Sequence, residues 1–241
     1  MIKRSKVTPI RALLLGGGLG TRLRPLTDHV PKCLVRINGK PLLEIWLDLL
    51  LQERRVERIL INTHHLAEKV DEFCELSSWK DFVDIQFEID LLGTAGTVRR
   101  NRDFFNHRTI MIAHADNLTK FNFSDFVGTF LRRPNHCIGT MMTFVCDNPS
   151  SCGIVTTDSD GIVQSYFEKV KHPPGNIANA AVFLFDQRLY SEPFISNSDI
   201  DFCGDTVPRL VGRVNTFMND TYHRDIGTMR SYEAAQEDFK E

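Results

Sequence analysis

The sequence predicts an α/β fold, a mostly parallel mixed sheet with helices on both faces. Three observations carry this. Short apolar runs alternate with helical patterns through the first half, a glycine-rich segment directly follows the first apolar run, and the second half turns to hairpin-like β segments. With 241 residues, 42% of them hydrophobic and 25% charged, the chain can bury a sizeable core. We read one domain over residues 1–241, with one half at about 10–135 and the other at about 136–241.

The elements follow in order. Residues 11–15 read as the first strand. Residues 41–54 read as a helix, with Leu42, Leu43, Trp46, Leu49 and Leu50 on one face and Pro41 at its start. A strand at 58–62, a helix at 66–76, a strand at 83–89 and a helix at 96–105 come next. Residues 109–114 form a continuous apolar strand that ends in acid, and a helix at 124–133 has Ser124 as its expected N-cap. In the second half, strands at 152–157 and 162–168 flank the turn sequence Asp158-Ser159-Asp160-Gly161, and 178–185 continues the β pattern. A short run at 218–223 precedes Asp225, and 229–240 looks helical. No internal repeat, low-complexity segment or long linker interrupts this order.

Composition excludes several classes. A net charge of −2 gives no reason to expect a nucleic-acid surface, and Lys3, Arg4 and Lys6 read as a solvated tail. No apolar run approaches the ~18 residues of a membrane span, and the first apolar segment is too short for a secretory signal, so a cytoplasmic protein with no membrane partner is expected. Six cysteines, at 33, 74, 137, 146, 152 and 203, show no CxxC pair and no zinc spacing, so reduced structural thiols are expected. His64 and His65 read as ordinary loop histidines for the same lack of nearby ligands.

The chemistry starts at residues 16–32, GGGLGTRLRPLTDHVPK. Gly16, Gly17, Gly18 and Gly20 lack the β-carbons that would keep the backbone away from an anion, so their N–H groups can form a concave donor surface. Arg22 adds a planar fork of donors and Lys32 a compact charge. This is neither common nucleotide loop, because Thr21 stands where the dinucleotide fingerprint needs glycine, and no Lys-Ser/Thr closes a GxxxxGK pattern. A plain connecting turn would not need three adjacent glycines with two arginines and a lysine. Asp116 and Asp225 each follow a strand, and open α/β sheets bind ligands outside their strands' carboxyl ends. Two such carboxylates suit Mg²⁺, although either alone would also serve as a turn or cap acid.

The pattern GGxGTRLxPLT with Pro31-Lys32 about ten residues on resembles the signature of the sugar-1-phosphate nucleotidyltransferases. The resemblance runs from Ala12 to Thr228 with its motifs in order. It implies a Rossmann-like sheet of the nucleotide-diphospho-sugar transferase type, a nucleotide-binding first half and a sugar-phosphate-binding second half. It implies catalytic roles for Arg22 and Lys32, and Mg²⁺ held by Asp116 and by Asp225 of the DxGT-like Asp225-Ile226-Gly227-Thr228. Ala115 departs from the usual GD pair there. Glu168-Lys169 resembles the family's EK pair, with Glu on sugar hydroxyls and Lys on the sugar phosphate, and Asn179 fits the Asn of its NAG motif. Ala180 is taken as a methyl in place of a small partner position, narrowing the pocket. Gly153 resembles the glycine of a YGVV-like motif, with Cys152 in place of the aromatic. Leu92-Gly93-Thr94-Ala95-Gly96 resembles the LGTAG loop beside the base, with Gly93 and Thr94 among its nucleotide contacts and Gly96 opening a helix. Gly16, Gly17, Gly18, Gly20, Thr21 and Asn62 complete the expected nucleotide side.

The expected function is therefore transfer from a nucleoside triphosphate to a sugar 1-phosphate with release of pyrophosphate. The loop looks most like guanylyltransferases acting on mannose or manno-heptose 1-phosphate. Uridylyl, cytidylyl and thymidylyl relatives, a non-catalytic sensing paralogue and a phosphocholine enzyme are the alternatives. The last would need an aromatic cage that Glu168, Lys169 and Asn179 do not supply. The short stretch after Asp225 leads us to expect no hexapeptide-repeat acetyltransferase domain. A homo-oligomer is left open by the residues.

Overall fold

Nine strands form one sheet in the computed structural model, which describes residues 8–239; Lys3, Arg4 and Lys6 lie outside these. Its first half is parallel. β1 (Ile10–Leu15) sits between β4 (Val56–Thr63) and β6 (Thr109–His114), and β5 (Val83–Phe87) pairs with β4 at the edge. Two two-residue strands, β2 (Arg36–Ile37) and β3 (Lys40–Pro41), pair with each other outside this sheet. Burial explains the parallel pairing: β1 places Ile10, Ala12 and Leu14 in one core and Leu13 and Leu15 in another, so both of its faces are covered. Helices α1 (Leu42–Leu51) and α2 (Ala67–Glu75) cover one face, and α3 (Gly93–Arg100) covers the other through Ala95 and Val98.

The boundaries of α1 and α3 differ from the sequence reading, the latter ending at Arg100 rather than 105. α1 stops at Leu51 rather than 54, because Arg55 donates from its backbone and guanidinium to the Glu53 carboxylate, turning the chain into β4. α3 starts at Gly93, not Gly96. Gly93 has φ +72, a β-carbon there would collide with the Ile200 carbonyl, and that carbonyl accepts from Ala95 N–H at 2.9 Å.

After β6 the chain turns through Asp116 into β7 (Asn117–Lys120) and then α4 (Phe123–Arg132). The N-cap of α4 is Asn122, whose side chain accepts from Asp125 N–H, and not Ser124. The second half is largely antiparallel: β11 (Ile177–Phe185) runs against β6, against β8 (Gly139–Val145) and against β9 (Gly153–Thr157), with β10 (Val163–Glu168) outermost. The β9–β10 turn forms as expected, with the Asp158 carboxylate accepting from Asp160 and Ile162 N–H and Gly161 at φ +76. The short helix α5 (Arg188–Ser191) follows β11. The run at 218–223 is divided in two. β12 (Val214–Met218) joins the main sheet parallel to β8, whereas β13 (Tyr222–Asp225) pairs only with β7 in a separate ribbon. The last helix, α6 (Met229–Asp238), is capped by Thr228 and Ser231. All six cysteines are free thiols. Among the described residues no helix is long and apolar enough to cross a membrane.

Candidate active site

The carboxyl end of β6, the small β7–β13 ribbon and the segment carrying Arg22 and Lys32 converge on one cleft of about 1080 Å³. Arg22, Lys32, Asp116 and Asp225 line one wall; Gly153, Glu168, Lys169 and Asn179 line the other. Apart from the adjacent Glu168 and Lys169, these residues come from separate stretches of sequence, and the fold brings them together.

On the first wall, Lys32 is the centre. Its side chain is 8% exposed, and its ammonium binds Asp116 Oδ2 and stands 3.5 Å from Asp225 Oδ1. Burial works against the charge of Lys32, but the two carboxylates outweigh it and hold its pKa above the ordinary lysine value. Burial likewise opposes ionisation of Asp116, and Lys32 with His114 reverses this and holds it below the usual carboxylate range. Asp225 is brought close because Gly227 lacks a side chain: a β-carbon there would lie 2.6 Å from Asp225 Oδ2 and 3.0 Å from Arg22 Nη2. Sequence reasoning gave Gly227 no role, although the glycine of the DxGT-like motif was its signal.

Behind this wall lies the glycine loop. Gly16 N–H donates to Asn62 Oδ1 at 2.9 Å, and a β-carbon on Gly17 would meet Asn62 Nδ2 at 2.8 Å, so the buried Asn62 shapes the loop from beneath. Gly20 takes φ +64 and accepts from the Thr27 hydroxyl, while Gly18 and Thr21 are exposed. Thr97 links this loop to α3, since its hydroxyl lies 3.5 Å from Asn62 Nδ2 and donates to the Gly93 carbonyl. Thr94 donates to Asp201 and accepts from Phe202 N–H. Gly16, Gly17, Gly18, Gly20, Thr21, Asn62, Gly93 and Thr94 thus belong to this region and not to the lining of the large cleft. His64 and His65 bond backbone carbonyls, of Glu88 and Thr27.

The second wall is made by β9, β10 and β11. Glu168 Oε1 accepts from Lys169 Nζ at 2.9 Å, and Asn179 Oδ1 accepts from Ala181 N–H at 2.9 Å. Among Asn179, Ala180 and Ala181 the left-handed residue is Ala181, at φ +53, where the β11–β8 register breaks. The departure from the glycine of the motif therefore falls on Ala181; Ala180 is fully packed and its carbonyl accepts from Asn117 Nδ2. Tyr166 was absent from the sequence reading yet lines this wall. Its place two residues before Glu168 on one strand was the available signal. His114 and His223 also line the cleft. Burial, with a contribution from His114, pushes His223 down to about 3, so it is neutral near pH 7.

The cleft thus sets a buried lysine between two carboxylates on one wall and a polar wall opposite. The chain belongs to the Nucleotidyl transferase family, whose sequence model matches residues 11–241. Among its relatives is the mannose-1-phosphate guanylyltransferase catalytic subunit beta of Drosophila pseudoobscura pseudoobscura, 30% identical over 228 residues that cover 92% of this chain and 60% of that protein. Another is the UTP–glucose-1-phosphate uridylyltransferase of Synechocystis, 28% identical over 218 residues, or 84% of this chain and 55% of that one. The chain thus spans little more than half the length of these curated relatives. Among solved structures, HddC from Yersinia pseudotuberculosis complexed with GMP-PN superposes with a TM-score of 0.76 at 25% identity, covering 95% of this chain and 99% of that one. A putative glucose-1-phosphate thymidylyltransferase from Bacillus anthracis shares the fold, with a TM-score of 0.81 at 20% identity over 96% of this chain and 97% of its own.

Proposed function

We propose that the chain transfers a nucleotidyl group from a nucleoside triphosphate to a sugar 1-phosphate, releasing pyrophosphate, and that GTP with mannose or manno-heptose 1-phosphate is the preferred pair. The observation that carries the reaction class is Lys32 held between Asp116 and Asp225, facing Glu168, Lys169 and Asn179 across one cleft. The preference for GTP is supported by the guanylyltransferase relative and by the GMP-PN complex of the HddC neighbour.

The nucleophile is the sugar-phosphate oxygen, already anionic because a phosphate monoester has a second pKa of about 6, so no general base is required. Lys32, Arg22 and the N–H groups of the glycine loop other than that of Gly16, which Asn62 takes, offset charge on the transferring phosphoryl group, and Lys169 does so on the attacking phosphate. Glu168 accepts from two sugar hydroxyls. Asp116 and Asp225 converge on one cationic point from separate elements, which fits the one or two carboxylates that Mg²⁺ takes. When bound, the ion neutralises triphosphate charge.

The test is pyrophosphate release from a matrix of GTP, UTP, ATP, CTP and dTTP against mannose, manno-heptose and glucose 1-phosphates with Mg²⁺. GTP with a manno sugar is expected to be fastest. Preference for another base overturns the guanylyl assignment alone, and release from no pair overturns the reaction class.

A further inference from the structure

Tyr166 and Glu168 are two apart on β10, so the strand's period places both side chains on one face, turned into the cleft. The phenol donates to Glu168 Oε2 at 2.5 Å, while Lys169 holds Oε1 at 2.9 Å. The same phenol oxygen lies 3.5 Å from Asn179 Nδ2, whose partner oxygen is fixed by Ala181 N–H. Space for this arrangement depends on Gly153, the β9 residue opposite Glu168. A β-carbon there would collide with Tyr166 Oη and lie 2.6 Å from Glu168 Oε2. Burial, then the neighbouring Cys203 and Glu168, raise the phenol well above its ordinary pKa, so the hydroxyl keeps the proton it donates.

We infer that Tyr166 is a positioning residue of the sugar subsite, setting the rotation of the Glu168 carboxylate so that its unused lone pairs face the sugar hydroxyls. The inference rests on the proposed role of Glu168. Four lone-pair sites are available on a carboxylate. Lys169 and Tyr166 occupy one on each oxygen and leave one on each for a ligand. Lys169 alone is a weak anchor, because its side chain is 63% exposed and an exposed ion pair contributes little. Tyr166 therefore supplies the order, and through the same oxygen ties Glu168 to Asn179 on β11, across the intervening β9.

The test compares the wild type, Tyr166→Phe, Glu168→Gln and the double variant of the full chain in steady-state kinetics, using the fastest pair from the matrix. Tyr166→Phe keeps the ring and its packing. The expected result is a rise of about tenfold in the KM for the sugar 1-phosphate, with the triphosphate KM within about twofold of wild type. The double variant should bind sugar no worse than Glu168→Gln, because a positioning group has nothing left to position. An unchanged sugar KM in Tyr166→Phe beside a raised one in Glu168→Gln overturns the inference and leaves the reading of Glu168 standing. Equal rises in both substrates' KM, or additive effects in the double variant, also overturn it. No effect from Glu168→Gln removes the sugar-subsite reading and this inference with it.

Discussion

The two walls of the cleft are held in place by different physics. On the Lys32 side, order comes from charge under burial: the lysine side chain is 8% exposed and Asp116 24%, so their attraction is little screened. On the Glu168 side, Glu168 is as covered as Asp116, at 23% exposure, but its lysine partner is 63% exposed, so order comes from short-range hydrogen bonds. Under the proposed function, the first wall is an electrostatic device prepared before substrate arrives, acting on charge that develops during reaction, and the second is a recognition surface. Damage to the first should therefore appear in turnover and metal dependence, and damage to the second in the affinity for one substrate.

Lys32→Ala is the most severe way to break this contrast. It should lower turnover by at least ~10²-fold, since it removes a buried charge that the proposed function sets against the transferring phosphate. It also leaves Asp116 and Asp225 facing each other without a cation, so thermal melts should show a loss of stability that added Mg²⁺ partly restores. Near-normal turnover would remove Lys32 from the centre of the site.

Asp116→Asn and Asp225→Asn should each raise the Mg²⁺ concentration needed for half-maximal rate, because an amide lacks the charge that holds a hard cation. Asp116 should cost more, as its side chain is 24% exposed against 58% for Asp225. Wild-type metal titrations in both variants would contradict the two-carboxylate site.

A smaller effect is expected on pH-dependent stability. His223 has a folded pKa of about 3 against 6.5 for an unfolded histidine. Between these values the unfolded chain binds a proton that the folded chain refuses. Stability is therefore full above pH 6.5 and falls as the pH drops toward 3, by up to about 1.4 kcal/mol per pH unit. His223→Phe, which keeps an aromatic ring against Phe144, should narrow the gap between melting temperatures at pH 5 and pH 7.5. An unchanged gap would show that His223 titrates normally.

The smallest effect is predicted at Ala181. Relief of its left-handed backbone by Ala181→Gly is offset by the greater backbone entropy of glycine, so chemical denaturation should show a change within about 1 kcal/mol. A loss of several kcal/mol would mean that the methyl is a packing element of the sugar wall.

How much of this was legible in the sequence follows the same division. The first wall is written in local order. Strand, glycine loop, Arg22 and Lys32 fall within one short stretch, and the apolar run at 109–114 coincides with β6. What depended on remote partners was not legible. α3 starts at Gly93 because Ile200, more than a hundred residues on, supplies its carbonyl, and no local pattern announces that. The ribbon that carries Asp225 pairs with β7 rather than with the main sheet, which periodicity over four residues does not reveal. On the second wall, placing the glycine substitution at Ala180 rather than Ala181 was a question of backbone φ, which the side-chain pattern does not carry. Asn62 was readable as a polar strand end, but its bond to Gly16 required the β1–β4 register.

The central claim, that one wall governs reaction and the other recognition, is tested most directly by two-substrate kinetics of pyrophosphate release on Asp116→Asn and Glu168→Gln beside the wild type. The prediction is a crossed result. Asp116→Asn should lower kcat with a small change in the sugar 1-phosphate KM, and Glu168→Gln should raise that KM about tenfold while kcat falls much less. If both variants move the same parameter by the same factor, the division between the walls is contradicted.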